Sequence, residues 1–205
     1  MSLFITFEGG EGSGKTTQIN LLKKVLQKKD HHVLITREPG GTTIGDQIRH
    51  ILLDPKNKKM VPLTELLLYE AGRSQHVQEK ILAALKKNIV VISDRYADAS
   101  TVYQGYARKL SSNLVSKLNA IATSDLKPDL TIILDCPPKD GLKRVKESRH
   151  RFDRIEKEKK SFHDAIRKGY LKLAKSEPRR VKIVNALGSK KEIHEQILKL
   201  VFKKI

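Results

Sequence analysis

The sequence predicts an α/β fold in which a five-stranded parallel sheet carries helices on both faces. Two patterns predict it. Short apolar runs rich in β-branched residues alternate with long amphipathic stretches from end to end. Most of the short runs are almost continuously apolar, as parallel strands buried on both faces are. Strands are expected at residues 3–7, 33–36, 89–93, 130–134 and 181–184. After the first, Ile19, Leu22 and Leu26 share one helical face. Phe162, Ile166, Tyr170 and Leu173 do so before the last strand, and Ile193, Ile197, Leu200 and Val201 after it. No repeat, low-complexity tract or Pro/Gly-rich linker divides the chain, so residues 1–205 are expected to form one domain. The one compositional break, residues 147–160, thins in apolar residues and crowds Arg, Asp, Glu and Lys together. It reads as a lid, at approximately 145–158, inserted in that domain.

Apolar residues make up 39% of the chain, enough for a core, and no run approaches the ~20 apolar residues of a membrane span. The opening MSLFITFEGG shows no basic leader or cleavage site, and Cys136 has no second cysteine to pair with. Both favour a reducing cytoplasm and a packed thiol. Forty-one Lys and Arg against 23 Asp and Glu leave a net charge of +18. The lysines fall in pairs on expected helix surfaces (Lys23 and Lys24, Lys86 and Lys87, Lys190 and Lys191). That is a solvated surface, and no specific nucleic-acid or membrane partner is expected.

The most specific motif is Gly9, Gly10, Glu11, Gly12, Ser13, Gly14, Lys15 and Thr16, which matches GxxxxGK[ST] between a strand and an amphipathic helix. The glycines let successive N–H groups curl toward an anion, and the helix start adds its dipole. Lys15 can then reach the β- and γ-phosphates of a triphosphate, and the Thr16 hydroxyl can ligate Mg²⁺, with Thr17 following. The fold class is therefore a P-loop NTPase fold with a lid insertion. No guanine-reading NKxD occurs, and the chain is short for a motor core. A small kinase is expected.

The acceptor is written elsewhere: TREPGG at 36–41, a helix with Tyr69 and Arg73, DRYADAS at 94–100, YQGYAR at 103–108, PDLTIILD at 128–135 and DRIE at 153–156. With FEGGEGSGKTTQ these motifs, in this order, resemble those of bacterial thymidylate kinases over nearly the whole chain. The resemblance implies ATP and dTMP as substrates, Mg²⁺ as cofactor and a homodimer. It also implies that Arg95 and Arg49 meet the dTMP phosphate and that Tyr69 stacks on thymine. Arg73 would face the base edge, with Ser100 and Gln104, at i and i+4, reading it. Tyr103 would pack on the sugar, and Glu11 and Glu38 would lie near the 3′-hydroxyl. Asp94 would organise Mg²⁺ through water. Blander roles stand beside these: a helix cap for Asp94, core packing for Tyr69, a helix surface for Arg49, a turn for Glu38. Asp135, followed by Cys136 and two prolines, reads as structural.

Some thymidylate kinases carry an arginine in the loop where this chain has Gly12. The charge of the transferred phosphoryl must then be met from the lid, by Arg149, Arg151 or Arg154. Arg154, flanked by Asp153 and Glu156, is the expected choice. Arg144 matches a residue that stacks on adenine, and Asn185 with Ala186 the loop on the adenine side. The rival readings are another nucleoside monophosphate kinase and a nucleic-acid-binding ATPase.

Overall fold

A computed structural model describes residues 2–148 and 152–205. Strands β1 (Phe4–Glu8), β2 (Val33–Arg37), β3 (Val90–Asp94), β4 (Leu130–Asp135) and β5 (Val181–Asn185) form one sheet in the order β2-β3-β1-β4-β5. Every pairing is parallel. Each strand ends one residue beyond the apolar run that predicted it, on Glu8, Arg37, Asp94, Asp135 or Asn185. These polar ends line up along the carboxyl edge, where open α/β sheets bind ligands.

Side chains alternate across the strands. Leu3, Ile5 and Phe7 face α1 (Lys15–Gln27) and α9 (Lys190–Val201), packing with Ile19, Leu22, Leu26, Ile193 and Ile197. On the opposite face Phe4 and Val91 pack with Val77, Ile81 and Tyr96, and Ile133 with Ile166, Tyr170 and Leu173 of α8 (Lys160–Ser176). Ser189 starts α9 with a reciprocal cap: its hydroxyl accepts from the Glu192 amide, and the Glu192 carboxylate accepts from its own.

Between β2 and β3 run α2 (Thr43–Leu53) and α3 (Pro62–His76), the latter continuing through a π-helical stretch, Val77–Ile81, into α4 (Leu82–Lys86). After β3, the short α5 (Ala97–Ser100) passes into a second π-helical stretch, Thr101–Ala107, and then α6 (Ser112–Thr123). α7 (Pro138–Ser148) holds residues 145–148, the first part of the stretch expected as the lid. Arg154 N–H donates to Leu53 O, docking the segment before α8 on the end of α2. Arg149 and Arg151 lie outside the described residues.

Candidate active site

The phosphate loop joins β1 to α1, which begins at Lys15 directly after Gly14. At Gly12, φ is +66°, and an added Cβ would collide with the carbonyl of Gly141 at the start of α7. Close backbone packing requires glycine there. Lys15 Nζ folds back over the loop and donates to the carbonyls of Gly9 (3.3 Å) and Gly10 (3.1 Å). Burial, then Arg95, lowers the pKa of this ammonium, against the pull of Asp94, Glu11 and Glu8. The hydroxyl of Thr16 donates to Asp94 Oδ2 at 3.4 Å, which brings the two expected Mg²⁺ ligands together. Both are oxygen donors lining the cleft, as a hard cation needs.

Arg144 spans the other side of this cleft. It donates from Nη1 to Gly12 O at 3.4 Å and from both Nη groups to Ala186 O at 3.4 Å. The Asn185 side chain builds the turn instead, accepting from the Leu187 amide. Asp135 forms a bidentate pair with Arg167 (2.7 and 2.9 Å), and buried Cys136 has its thiol pKa raised by burial.

The cleft, about 800 Å³, runs along the loop, with Thr16, Thr17, Arg37, Asp94 and Arg144 in its wall. It meets a smaller cavity lined by Tyr69, Ser100, Tyr103 and Gln104, and the two share Glu11, Glu38, Arg49, Arg95 and Asp153. Arg95 stands at the junction. Its φ of +71° is a strained conformation of the kind that collects at functional sites. The guanidinium donates to Gly9 O (2.9 Å), Tyr170 Oη (3.3 Å) and Glu11 Oε1 (2.6 Å), and lies 5.0 Å from the Tyr103 ring centroid. The Tyr103 hydroxyl also donates to Glu11 Oε1, at 3.0 Å. Burial would raise the Glu11 pKa, but Arg95, Lys15 and this hydroxyl outweigh it and pull the value down to about 2. Glu11 is thus a fixed anion held against the cation at the junction.

Arg73 does not line the smaller cavity. It is 1% exposed and donates to Glu38 Oε2 (2.8 Å), Glu70 Oε1 (2.5 Å), Ser100 Oγ (2.9 Å), Asn119 Oδ1 (3.0 Å) and Tyr96 O (3.1 Å). Two buried carboxylates draw the guanidinium behind the wall rather than to a base edge. His76 Nδ1 meets the other Glu38 oxygen at 2.9 Å. Arg154 is placed elsewhere too: Nη1 pairs with Glu65 at 2.7 Å and Nε donates to Leu52 O at 2.6 Å. Its steering carboxylate is Glu65 rather than Asp153 or Glu156. Asp153 Oδ1 accepts from the Ile155 and Glu156 amides, and Glu156 Oε2 accepts from the Asp153 amide.

Several site residues escaped sequence reasoning: Glu65, Arg108, Tyr170 and Glu8. Glu65, Tyr69 and Arg73 fall at i, i+4 and i+8, so a face search along α3 could have found the first. Glu8 ends β1, fully buried, accepting from the Tyr96 amide (2.8 Å) and the Tyr170 hydroxyl (2.6 Å). Burial, with Asp98 adding, pushes its pKa up to about 8 against the pull of Arg95 and these two bonds. The native state therefore keeps a proton that the unfolded chain, at 4.5, releases. Its stabilising contribution is whole below about pH 4.5 and drains as pH rises toward 8. Glu8→Gln, whose carbonyl can accept from the Tyr96 amide while its NH₂ donates to Tyr170 Oη, is expected to unfold at higher urea than the parent at pH 8, by ~2–4 kcal/mol, with the gap closing at pH 5. Parallel pH slopes for the two proteins would sink this assignment.

A triphosphate loop whose cleft opens directly onto a second, smaller recess defines a P-loop phosphotransferase. The family model for thymidylate kinase matches residues 7–197, and the chain belongs to the thymidylate kinase family. It is 49% identical over 210 residues to the thymidylate kinase of Geotalea uraniireducens, covering 100% of this chain and 99% of that one. It is 52% identical over 191 residues to that of Geotalea daltonii, covering 90% and 89%. The crystal structure of thymidylate kinase from Ehrlichia chaffeensis matches the fold with a TM-score of 0.78 at 32% identity, over 98% of each chain. Among the described residues no helix is long and apolar enough to cross a membrane.

Proposed function

We propose that the protein transfers the γ-phosphoryl group of ATP to dTMP, giving ADP and dTDP, with the triphosphate in the loop cleft and dTMP in the smaller cavity. The observation that carries this reading is the junction at Arg95, whose guanidinium touches the loop at Gly9 O and the acceptor wall at Glu11 and Tyr103. Lys15 bridges the β- and γ-phosphates, and Arg144 with the Ala186 loop flanks adenine. Thr16 and Asp94 would hold Mg²⁺, which when bound neutralises charge on the phosphate oxygens. Tyr69 stacks on the base, Arg95 and Arg49 hold the acceptor phosphate, and Tyr103 crowds a 2′-hydroxyl. Glu11 and Glu38 border the 3′ side, and Arg73 acts from behind by holding Glu38 and Ser100. No strong base is required, because the acceptor phosphate is already an anion at pH 7. The chemistry is positioning and charge stabilisation, completed by a lid arginine.

The same reading takes the reaction to run in the cytoplasm and the chain to work as a homodimer. Leu63 and Leu67 are 45% and 48% exposed while Leu66 is buried, so part of this run is surplus to the core. With Ile44, Ile51, Leu114 and Ile121 they give adjoining α2, α3 and α6 an exposed apolar side.

One experiment tests these readings: ADP release over a panel of nucleotides, with sedimentation of the same sample reading the dimer. dTMP should exceed dCMP, dGMP and the ribonucleotide in kcat/KM, since each wall group left unpaired costs ~1–3 kcal/mol. Equal activity on AMP or GMP would point to another monophosphate kinase. Stimulation by single-stranded DNA alone would point to the nucleic-acid ATPase.

A further inference from the structure

Gln104 lines the acceptor cavity with its side chain 1% exposed, and its amide Nε2 donates to Glu65 Oε1 at 2.8 Å. Glu65, on α3, is itself 1% exposed and does not line the cavity. Arg108 donates to both its oxygens (Nε at 3.1 Å, Nη2 at 3.0 Å), and Arg154 Nη1 pairs with it at 2.7 Å. Arg108 is tied in turn to Glu158 at 2.7 Å. The carboxylate is therefore clamped from the π-helical stretch and from the segment before α8, and cannot turn away.

We infer that Glu65 is the positioning residue that sets the hydrogen-bonding polarity of the base-reading wall, and so selects pyrimidines with an N–H at ring position 3 over those with a bare nitrogen there. The inference rests on the reading of this cavity as the dTMP site. An ionised carboxylate only accepts hydrogen bonds, so Gln104 must turn its NH₂ toward Glu65 and its carbonyl oxygen the other way. Burial would raise the pKa of Glu65, but Arg108, the Gln104 amide and Arg154 more than offset it and hold the carboxyl below its usual range. The anion is thus present across the working pH range. A flipped amide would set its oxygen against a buried carboxylate oxygen, and that arrangement is disfavoured.

Ser100 completes the pattern with the opposite sign. Its Oγ accepts from Arg73 Nη1 at 2.9 Å, which leaves its own hydrogen free to donate beside one remaining lone pair. The wall then offers a donor at Ser100 and an acceptor at Gln104. Thymine and uracil present a carbonyl oxygen beside an N–H, which matches. Cytosine presents an amine, which the second lone pair of Ser100 can still meet, beside a bare nitrogen that opposes the Gln104 carbonyl oxygen. By this device dUMP is read like dTMP, and only the amino-pyrimidine is refused.

The test compares dTMP, dUMP and dCMP on Glu65→Gln, Gln104→Ala and the double variant, with circular dichroism to confirm folding. Residue 65 as glutamine can donate or accept, so Gln104 is no longer forced. The dTMP/dCMP ratio of kcat/KM is expected to fall about tenfold or more, through KM, while the dTMP/dUMP ratio holds. In the Gln104→Ala background the same replacement should leave the dTMP/dCMP ratio within about twofold, because its effect passes through that amide. Should Glu65→Gln not fold, Glu65→Asp keeps the charge for Arg108 and Arg154 but withdraws from Gln104, and the same shift is expected. A folded Glu65 variant with the parental ratio, or an equal shift without Gln104, overturns the inference. A Gln104→Ala protein with an unchanged dTMP/dCMP ratio overturns instead the placement of the base in this cavity.

Discussion

Lys15→Ala is expected to lower kcat by about 10²–10³-fold while the protein stays folded. Among the described residues its side chain hydrogen-bonds to the loop it belongs to, through the carbonyls of Gly9 and Gly10. Of these, the Gly9 carbonyl keeps a donor in Arg95 when the lysine is gone. Burial already disfavours the ammonium, so its removal takes away a strained cation rather than a keystone, and the change in stability should stay near 1 kcal/mol. The phosphates are another matter. Charge moves toward the β–γ bridging oxygen as the γ-phosphoryl leaves, and an ammonium fixed at that point stabilises the transition state more than the ground state. Steady-state kinetics beside a thermal melt decide it. A folded variant turning over at the parental rate would remove the phosphate-loop assignment.

The same contrast between local and distant partners explains how much could be read without a structure. The sheet was legible because apolar runs mark its strands. Each run stopped one residue short, before Glu8, Arg37, Asp94, Asp135 or Asn185, since the carboxyl edge exchanges apolar residues for polar ones where it meets the site. The phosphate loop was legible because its spacing is local. Ser100 and Gln104 were read as neighbours on an ordinary helix, and both line the cavity although the stretch after Ser100 is π-helical. No sequence signal marks that wider turn. Charge partners were the least legible. Glu65 with Arg154, Arg73 with Glu38 and Arg95 with Glu11 each join residues far apart in the chain. A glutamate on an amphipathic helix reads as solvated until the arginines that close over it are placed. For that reason the sequence points to Asp153 and Glu156, which flank Arg154, whereas the carboxylate that pairs with it is Glu65 on α3.

That placement redirects the catalytic expectation for the lid. A loop arginine at position 12 is sterically closed: with φ at +66° and the Gly141 carbonyl where a Cβ would sit, the start of α7 would have to move. Arg144 is engaged with Gly12 O and Ala186 O, and if it flanks adenine as proposed, Arg144→Ala should raise the KM for ATP, because that contact would be made in ground and transition states alike. Arg154 is buried, bound to Glu65 and to Leu52 O, and Arg154→Ala should lower stability and raise the KM for dTMP by loosening Glu65. The cation for the moving phosphoryl is then expected from Arg149 or Arg151. Replacing the responsible one by alanine should lower kcat and kcat/KM together, by ~10³-fold or more, with dTMP affinity by calorimetry close to the parental value. That profile separates a transition-state contact from a binding one, because weaker binding would appear in KM and in the calorimetric constant. The single variants and the Arg149→Ala, Arg151→Ala pair should be measured side by side. If the pair keeps turnover within about tenfold of the parent, some ~1.4 kcal/mol, the lid does not supply the charge and the mechanism must be sought at Arg95 and Lys15 alone.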